Sequence, residues 1–293
     1  MARRHAFTVF DGFNYGLLTV FSFLMLYPLL YVLSASFSDG FKLMAHSGPI
    51  LWPLGFSTAA YKMVARNPNV SRGFANSVYL VVVGTTFNIV LTSMGAYVLS
   101  RKNFLFKGFL IKFAVFTMFF NGGLIPFFLQ IRALGLYNSL WSVIFGFAIN
   151  TYNLIIMTTY FKGIPDSLEE SAKLDGANDF TILFRIVLPV AMPIVATMIL
   201  FYAVSRWNGY FYLMIFVRDR IKYPLSLILR EILIAGSTQD MLTSGGIGEG
   251  DQDMISDSIR YATTIVAVVP VLVIYPFLQK HFIKGVMIGS LKE

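Results

Sequence analysis

Charge-free apolar runs alternate along the chain with short polar or basic segments, and these runs dominate the pattern more than any amphipathic period does. Crossing about 30 Å of hydrocarbon takes roughly 20 mostly apolar residues in a helix. A segment surrounded by lipid must also satisfy its own backbone hydrogen bonds, which a helix does. Six runs meet the length and predict helices over about 13–36, 74–99, 111–131, 138–161, 186–208 and 261–280. The expected fold class is all-α integral membrane: six transmembrane helices in one domain covering 1–293, with a projecting loop at 164–189 between spans four and five. The first run follows Arg3 and Arg4 and contains Leu33-Ser34-Ala35, which resembles a leader cleavage site. Its length, and the further runs behind it, favour a retained span.

Composition agrees with that pattern. The chain is 56% hydrophobic and 13% charged, against about 25% charged for soluble domains. The absence of cysteine excludes disulfides, thiolate zinc sites and cysteine nucleophiles. His5, His46 and His281 are too scattered to suggest a metal site. The net charge of +8 sits between the apolar runs, so it suits anionic lipid headgroups and does not point to nucleic acid. Arg101, Lys102 and Lys107 crowd the short loop between spans two and three, whereas Arg132 is alone between three and four. By the positive-inside rule both termini are expected in the cytoplasm.

The loop at 164–189 carries the most specific pattern. Asp166 or Ser167 can cap a helix whose first turn holds Glu169 and Glu170, acids that suit a positive helix end. Leu168, Ala172 and Leu174 offer an apolar stripe, Gly176 breaks the helix, and a second short helix is expected over 179–185. Pro189 fits the first turn of span five. Local physics leaves two readings open: a knob docking into the groove of a soluble partner, or a helix lying on the bilayer surface.

Glu170-Ser171-Ala172, Gly176 four positions after Ala172, and Leu188-Pro189 further on resemble the EAA loop of binding-protein-dependent ABC importer permeases, together with Ile164-Pro165 and Asp175-Gly176-Ala177. Ser171 stands where that family usually has alanine. The likeness is nearest to the carbohydrate-uptake branch, especially permeases for acidic oligosaccharides such as alginate fragments. It implies that 164–189 forms cytoplasmic coupling helices, with Glu169, Glu170, Ala172, Asp175, Gly176 and Ala177 facing a cytoplasmic ATPase. It also implies a homologous second permease subunit, two ATPase subunits that hold ATP–Mg, and an extracytoplasmic solute-binding protein. No Walker A pattern occurs in this chain, so no cofactor of its own is expected and it is not expected to be an enzyme. Lys284 to Lys292 is similar to the family's ending; it can reach the ATPase interface or be a frayed terminus.

Polar residues within apolar runs are candidates for a substrate pathway, because an amide in lipid needs a partner. Asn88, Ser93, Asn121, Asn150, Asn153, Arg206, Trp207, Asn208 and Tyr210 are the candidates. Helix–helix bonding explains the amides equally well, and an interfacial aromatic belt explains Trp207 and Tyr210. Arg206 can attract a carboxylate or merely snorkel. The basic group Arg218, Arg220 and Lys222 and the acidic, glycine-rich stretch at 245–253 are expected in outer segments, and the latter does not complete a calcium loop. Permeases for peptides or osmolytes share the same machinery. An ion-coupled secondary transporter would usually carry charged residues within its spans, and these spans are nearly free of them.

Overall fold

The computed structural model describes residues 8–102, 104–234 and 252–290, with side chains described to 233 and again over 257–276. The described residues are helical apart from loops and one isolated bridge between Ser38 and Phe56. Contact density divides the chain into two units, 1–68 with 229–269, and 69–228 with 270–293.

The first unit opens with α1, Val9–Ser36. A capping box starts it: Asp11 N donates to Thr8 Oγ1, and Thr8 N donates to Asp11 Oδ2 at 2.8 Å. Its apolar side chains point all round and the membrane-length window is 0% buried by the rest of the chain, so lipid or another subunit must cover it. Beyond α1 the chain folds back on Ser38. The Ser38 hydroxyl donates to Ser34 O at 2.7 Å and accepts from Leu54 N at 2.9 Å. Helices α2, Gly40–Ala45, and α3, Ala59–Arg66, follow, the former capped by Asp39. Ala35, Leu43 and Ile50 form a small core with Tyr31 and Tyr261. The connection between α1 and the next long helix therefore contains two short helices.

The second unit is built on α4, Pro68–Ser100. Gly73, Ser77, Gly84, Asn88, Thr92, Ala96 and Ser100 are all buried on it. Spaced four or seven apart, these small or short polar residues share one face, which lets neighbouring backbones approach closely. Ser77 Oγ accepts from Leu225 N at 2.9 Å. A Cβ on Gly73 would stand 2.4 Å from Ile228 Cδ1 and 3.2 Å from Leu225 N. Around α4 come α5, Lys107–Phe119; α6, Leu124–Ala133; α7, Trp141–Gly146; and α8, Thr151–Lys162. They are followed by α9, Asp166–Leu174; α10, Asp179–Val190; α11, Met192–Asn208; and α12, Phe211–Phe216. Finally α13, Leu225–Ile234, and α14, Gln252–Ser290, run on into the other unit.

Among the described residues three helices are long and apolar enough to cross a membrane, namely Val9–Ser36, Pro68–Ser100 and Asp257–Pro276, or up to five if each of two bent pairs is one span. Unbroken helices were expected over 111–131, 138–161 and 186–208, but each contains a break. α5 and α6 meet at 117° around Asn121-Gly122-Gly123, where Gly123 adopts φ +90° and its N–H donates to Asn121 Oδ1 at 2.8 Å. α10 and α11 meet at 89°. Pro189 and Pro193 lack N–H groups and crowd the carbonyls four residues back, and a π-turn over Leu183–Val187 precedes the bend. α7 and α8 are separated by 147–150 and are each too short to cross alone. Apolar runs report length and solvent; two of these breaks have local causes, and the one at 147–150 is held by long-range partners.

The Gly73 contact yields a test. Gly73→Ala should lower the thermal unfolding midpoint in detergent, corresponding to about 1–3 kcal/mol of overpacking. Gly108→Ala, whose added Cβ meets nothing within 4 Å, should leave the midpoint unchanged or raise it.

Candidate functional site

Two polar sites lie in the second unit. The first is the loop that follows α8. α9 ends in a complete Schellman motif: Ala177 N donates to Ala172 O at 3.0 Å and Gly176 N to Lys173 O at 3.0 Å. Gly176 has φ +82° with open space around its α-carbon, so glycine is required here by backbone conformation and not by crowding. Asn178 then caps α10 by accepting from Thr181 N at 2.8 Å. At the start of α9 the expected cap is replaced. Pro165 holds the cap position without a side-chain bond, and Asp166 is already helical.

The acids of α9 turn instead to the end of α4. Glu169 pairs with Arg101, and with Lys173 at 2.8 Å. Asp166 pairs with Lys102 at 2.5 Å, both side chains being exposed. Burial pushes the Glu169 carboxyl up, but the Lys173 hydrogen bond and the Arg101 charge outweigh it and hold the carboxyl below its usual range. Asp166 is likewise lowered by the hydrogen bond and charge of Lys102, and the Lys173 ammonium is raised chiefly by its bond to Glu169. Ala172 is buried against the body of the unit, in a cluster with Tyr97, Phe161, Ile182 and Val187. It therefore seats the loop and does not face outward. Glu170, Asp175 and Gly176 are exposed, flanked by Leu174 at 89% and Phe180 at 63% exposure.

The second site is a cleft of about 1030 Å³ lined by the α7–α8 break, α11 and α12. That volume is at the upper end for small-molecule pockets, about 300–1,000 Å³. The break leaves backbone groups without helical partners, and side chains of α4 and α11 satisfy them. Asn88 Nδ2 donates to Phe147 O at 2.7 Å and Ala148 O at 2.6 Å. Arg206 donates to Val143 O at 2.7 Å, to Phe147 O at 2.9 Å, and through Nε and Nη2 to Asn88 Oδ1 at 3.2 and 3.0 Å. Tyr202 Oη accepts from Asn150 N at 3.1 Å and lies 2.8 Å from Thr92 Oγ1. Asn150 Oδ1 in turn caps α8 by accepting from Asn153 N at 3.1 Å.

Asn150, Asn153, Arg206, Asn208 and Tyr210 all line this cleft. Trp207 does not; it packs edge-on against Phe74 at 5.8 Å. Asn121 lies at the α5–α6 bend, away from the cleft lining. Lys222 of the basic group donates to Asn138 O at 2.8 Å. The stretch 245–251 and the side chains of 284–292 lie outside the described residues. Sequence reasoning missed Tyr202 and the break itself, as well as Arg101 and Lys102 as partners of α9. The nearest available signal was the placement of basic residues at 101–102 and acids at 166–169 in segments between apolar runs. No group of His, Asp or Glu able to hold a metal occurs among the described residues.

Broken, apolar helices around a largely apolar cleft with a few convergent polar groups suit a membrane transport subunit. The chain belongs to the family of binding-protein-dependent transport system inner membrane components, whose model matches residues 88–288. It is 41% identical over 285 residues to the polygalacturonan/rhamnogalacturonan transport system permease protein YtcP of Bacillus subtilis (strain 168), covering 97% of this chain and 98% of that one. Protein LplC of the same organism is 36% identical over 284 residues, covering 97% and 95%. Among solved structures, a bacterial ABC transporter involved in the import of the acidic polysaccharide alginate contains a similar chain. The match has a TM-score of 0.86 and 32% identity, covering 96% of this chain and 99% of that one. The first of these relatives is thus named as a transport system permease, and the family as an inner membrane component of transport.

A double-mutant cycle of Arg101→Gln and Glu169→Gln should give a coupling energy of about 1–3 kcal/mol in thermal unfolding. Exposed Lys102 and Asp166 should show no measurable coupling. The lowered Glu169 contributes stability above its ordinary 4.5, lost as pH falls through its folded value. The raised Lys173 contributes below its ordinary 10.5, lost as pH rises through its folded value. The difference between wild type and Glu169→Gln should therefore be flat between pH 4.5 and 10.5 and shrink on either side.

Proposed function

We propose that this chain is the membrane-spanning permease of an ATP-driven importer and forms the translocation pathway for an acidic oligosaccharide handed over by an extracytoplasmic binding protein. The observation that carries this reading is the end-to-end similarity to a permease named for polygalacturonan and rhamnogalacturonan transport, joined by the alginate importer's chain. ATP–Mg belongs to two cytoplasmic ATPase subunits, and a homologous second permease completes the pathway. Both termini lie in the cytoplasm, and α7 with α8 serves as one interrupted span, giving six.

In this reading 164–189 is the coupling loop. The exposed Glu170, Asp175 and Gly176 meet the ATPase, and Leu174 and Phe180 supply apolar teeth for its groove. Ala172 and Glu169 fasten the loop to α4, so that a push on the loop is passed to packed helices that move as bodies. Asn150, Asn153, Asn208 and Tyr210 offer amides and a hydroxyl to sugar hydroxyls along the cleft.

Deletion of this permease should abolish uptake of labelled oligogalacturonide in its native host, and the restored gene should return it. Gly176→Pro cannot adopt φ +82° and removes the N–H bonded to Lys173 O. This variant and Glu170→Lys should insert normally yet lose uptake at least tenfold. Affinity purification should recover the ATPase with wild type, and Leu174→Asp should weaken that recovery. Full transport by well-expressed Gly176→Pro would remove the loop from the mechanism.

A further inference from the structure

Arg206 is the only charged residue that lines the cleft among the described residues. Its hydrogen-bond acceptors are the carbonyls of Val143 and Phe147 and the amide oxygen of Asn88, all formally neutral. The two carbonyls belong to the last turn and C-cap of α7. A helix C-terminus offers at most about half an elementary negative charge, so a positive excess remains. Four hydrogen bonds hold the guanidinium in place. A Cβ on Gly84 would stand 3.2 Å from Arg206 Nε, so α4 also leaves room for it. With most of its five N–H groups engaged, the guanidinium is a fixed charge and not a free fork for a bidentate salt bridge.

We propose that Arg206 is a specificity-determining residue: a permanently seated cation whose field in the cleft favours carboxylate-bearing sugar units over neutral ones. This rests on the reading that the cleft carries an oligosaccharide. Attraction through a field, without direct ligation, suits a pathway whose cargo must enter and also leave. Asn88 is its positioning residue, since it accepts from Arg206 while its own amide holds the α7–α8 break.

The field can be measured without transport. The chain has no native cysteine, and Ser205, next to Arg206, is exposed and lines the cleft. In membranes holding the assembled transporter, Ser205→Cys is labelled with methanethiosulfonates bearing a sulfonate or a trimethylammonium group. The ratio of the two rates should fall about tenfold on adding Arg206→Gln. It should fall similarly with Asn88→Asp, which sets a carboxylate beside the retained guanidinium, and persist with Arg206→Lys. An unchanged ratio in both neutralised forms, loss of the ratio in Arg206→Lys as well, or no reaction of the thiol with either reagent overturns the proposal. Separately, wild type should prefer oligogalacturonide over its methyl ester, and Arg206→Gln should reduce that preference. Import of neither sugar by wild type would sink the oligosaccharide reading and leave the labelling result standing.

Discussion

A peptide group inside a bilayer has no water to bond to, and interrupted helices therefore persist only where side chains take over the lost hydrogen bonds. The segment 147–150 is governed by that constraint. Its carbonyls at Phe147 and Ala148 are claimed by Asn88, Phe147 O also receives Arg206, and the N–H of Asn150 is claimed by Tyr202. Each partner comes from α4 or α11, so closing the backbone account of one break ties three elements together. The cleft is the space left beside that tie, and the same polar groups give it its chemistry. An unbroken helix over 138–161 would need none of these partners and would fill the cleft with its own side chains.

The small-residue face of α4 is what makes the tie sterically possible. Gly84 gives way to the Arg206 stem, and Gly73 admits the start of α13. At its other end α4 presents Arg101 and Lys102 to the acids of α9. Asn88 lies twelve residues before Ser100, which is about 18 Å along a helix. One helix therefore runs from the basic residues that pair with the loop to the amide that holds Arg206 in the cleft wall.

The loop was legible in the sequence because its determinants are local. The left-handed glycine, the bonds closing α9 and the cap at Asn178 all fall within six residues of one another. Long apolar runs were legible for a similar reason, and they marked α1, α4 and the last helix correctly as membrane-length. The breaks were not, since an apolar run reads the same whether the helix continues or bends. Asn88 and Arg206 stood out as polar residues in apolar surroundings, but their meeting joins positions 118 apart, a distance no local pattern encodes. Ala172 adds what the motif does not say: this motif position is buried in a cluster that includes Tyr97 and Phe161.

α1 has its own consequence for how the polypeptide is made. Its first turn is closed by Thr8 and Asp11, and its membrane-length window owes nothing to the other described residues for burial. Such a segment partitions into the bilayer on its own apolar surface, before any tertiary contact exists. A helix of this kind anchors its neighbours to the bilayer through its own apolar surface, and its place there is independent of how they pack.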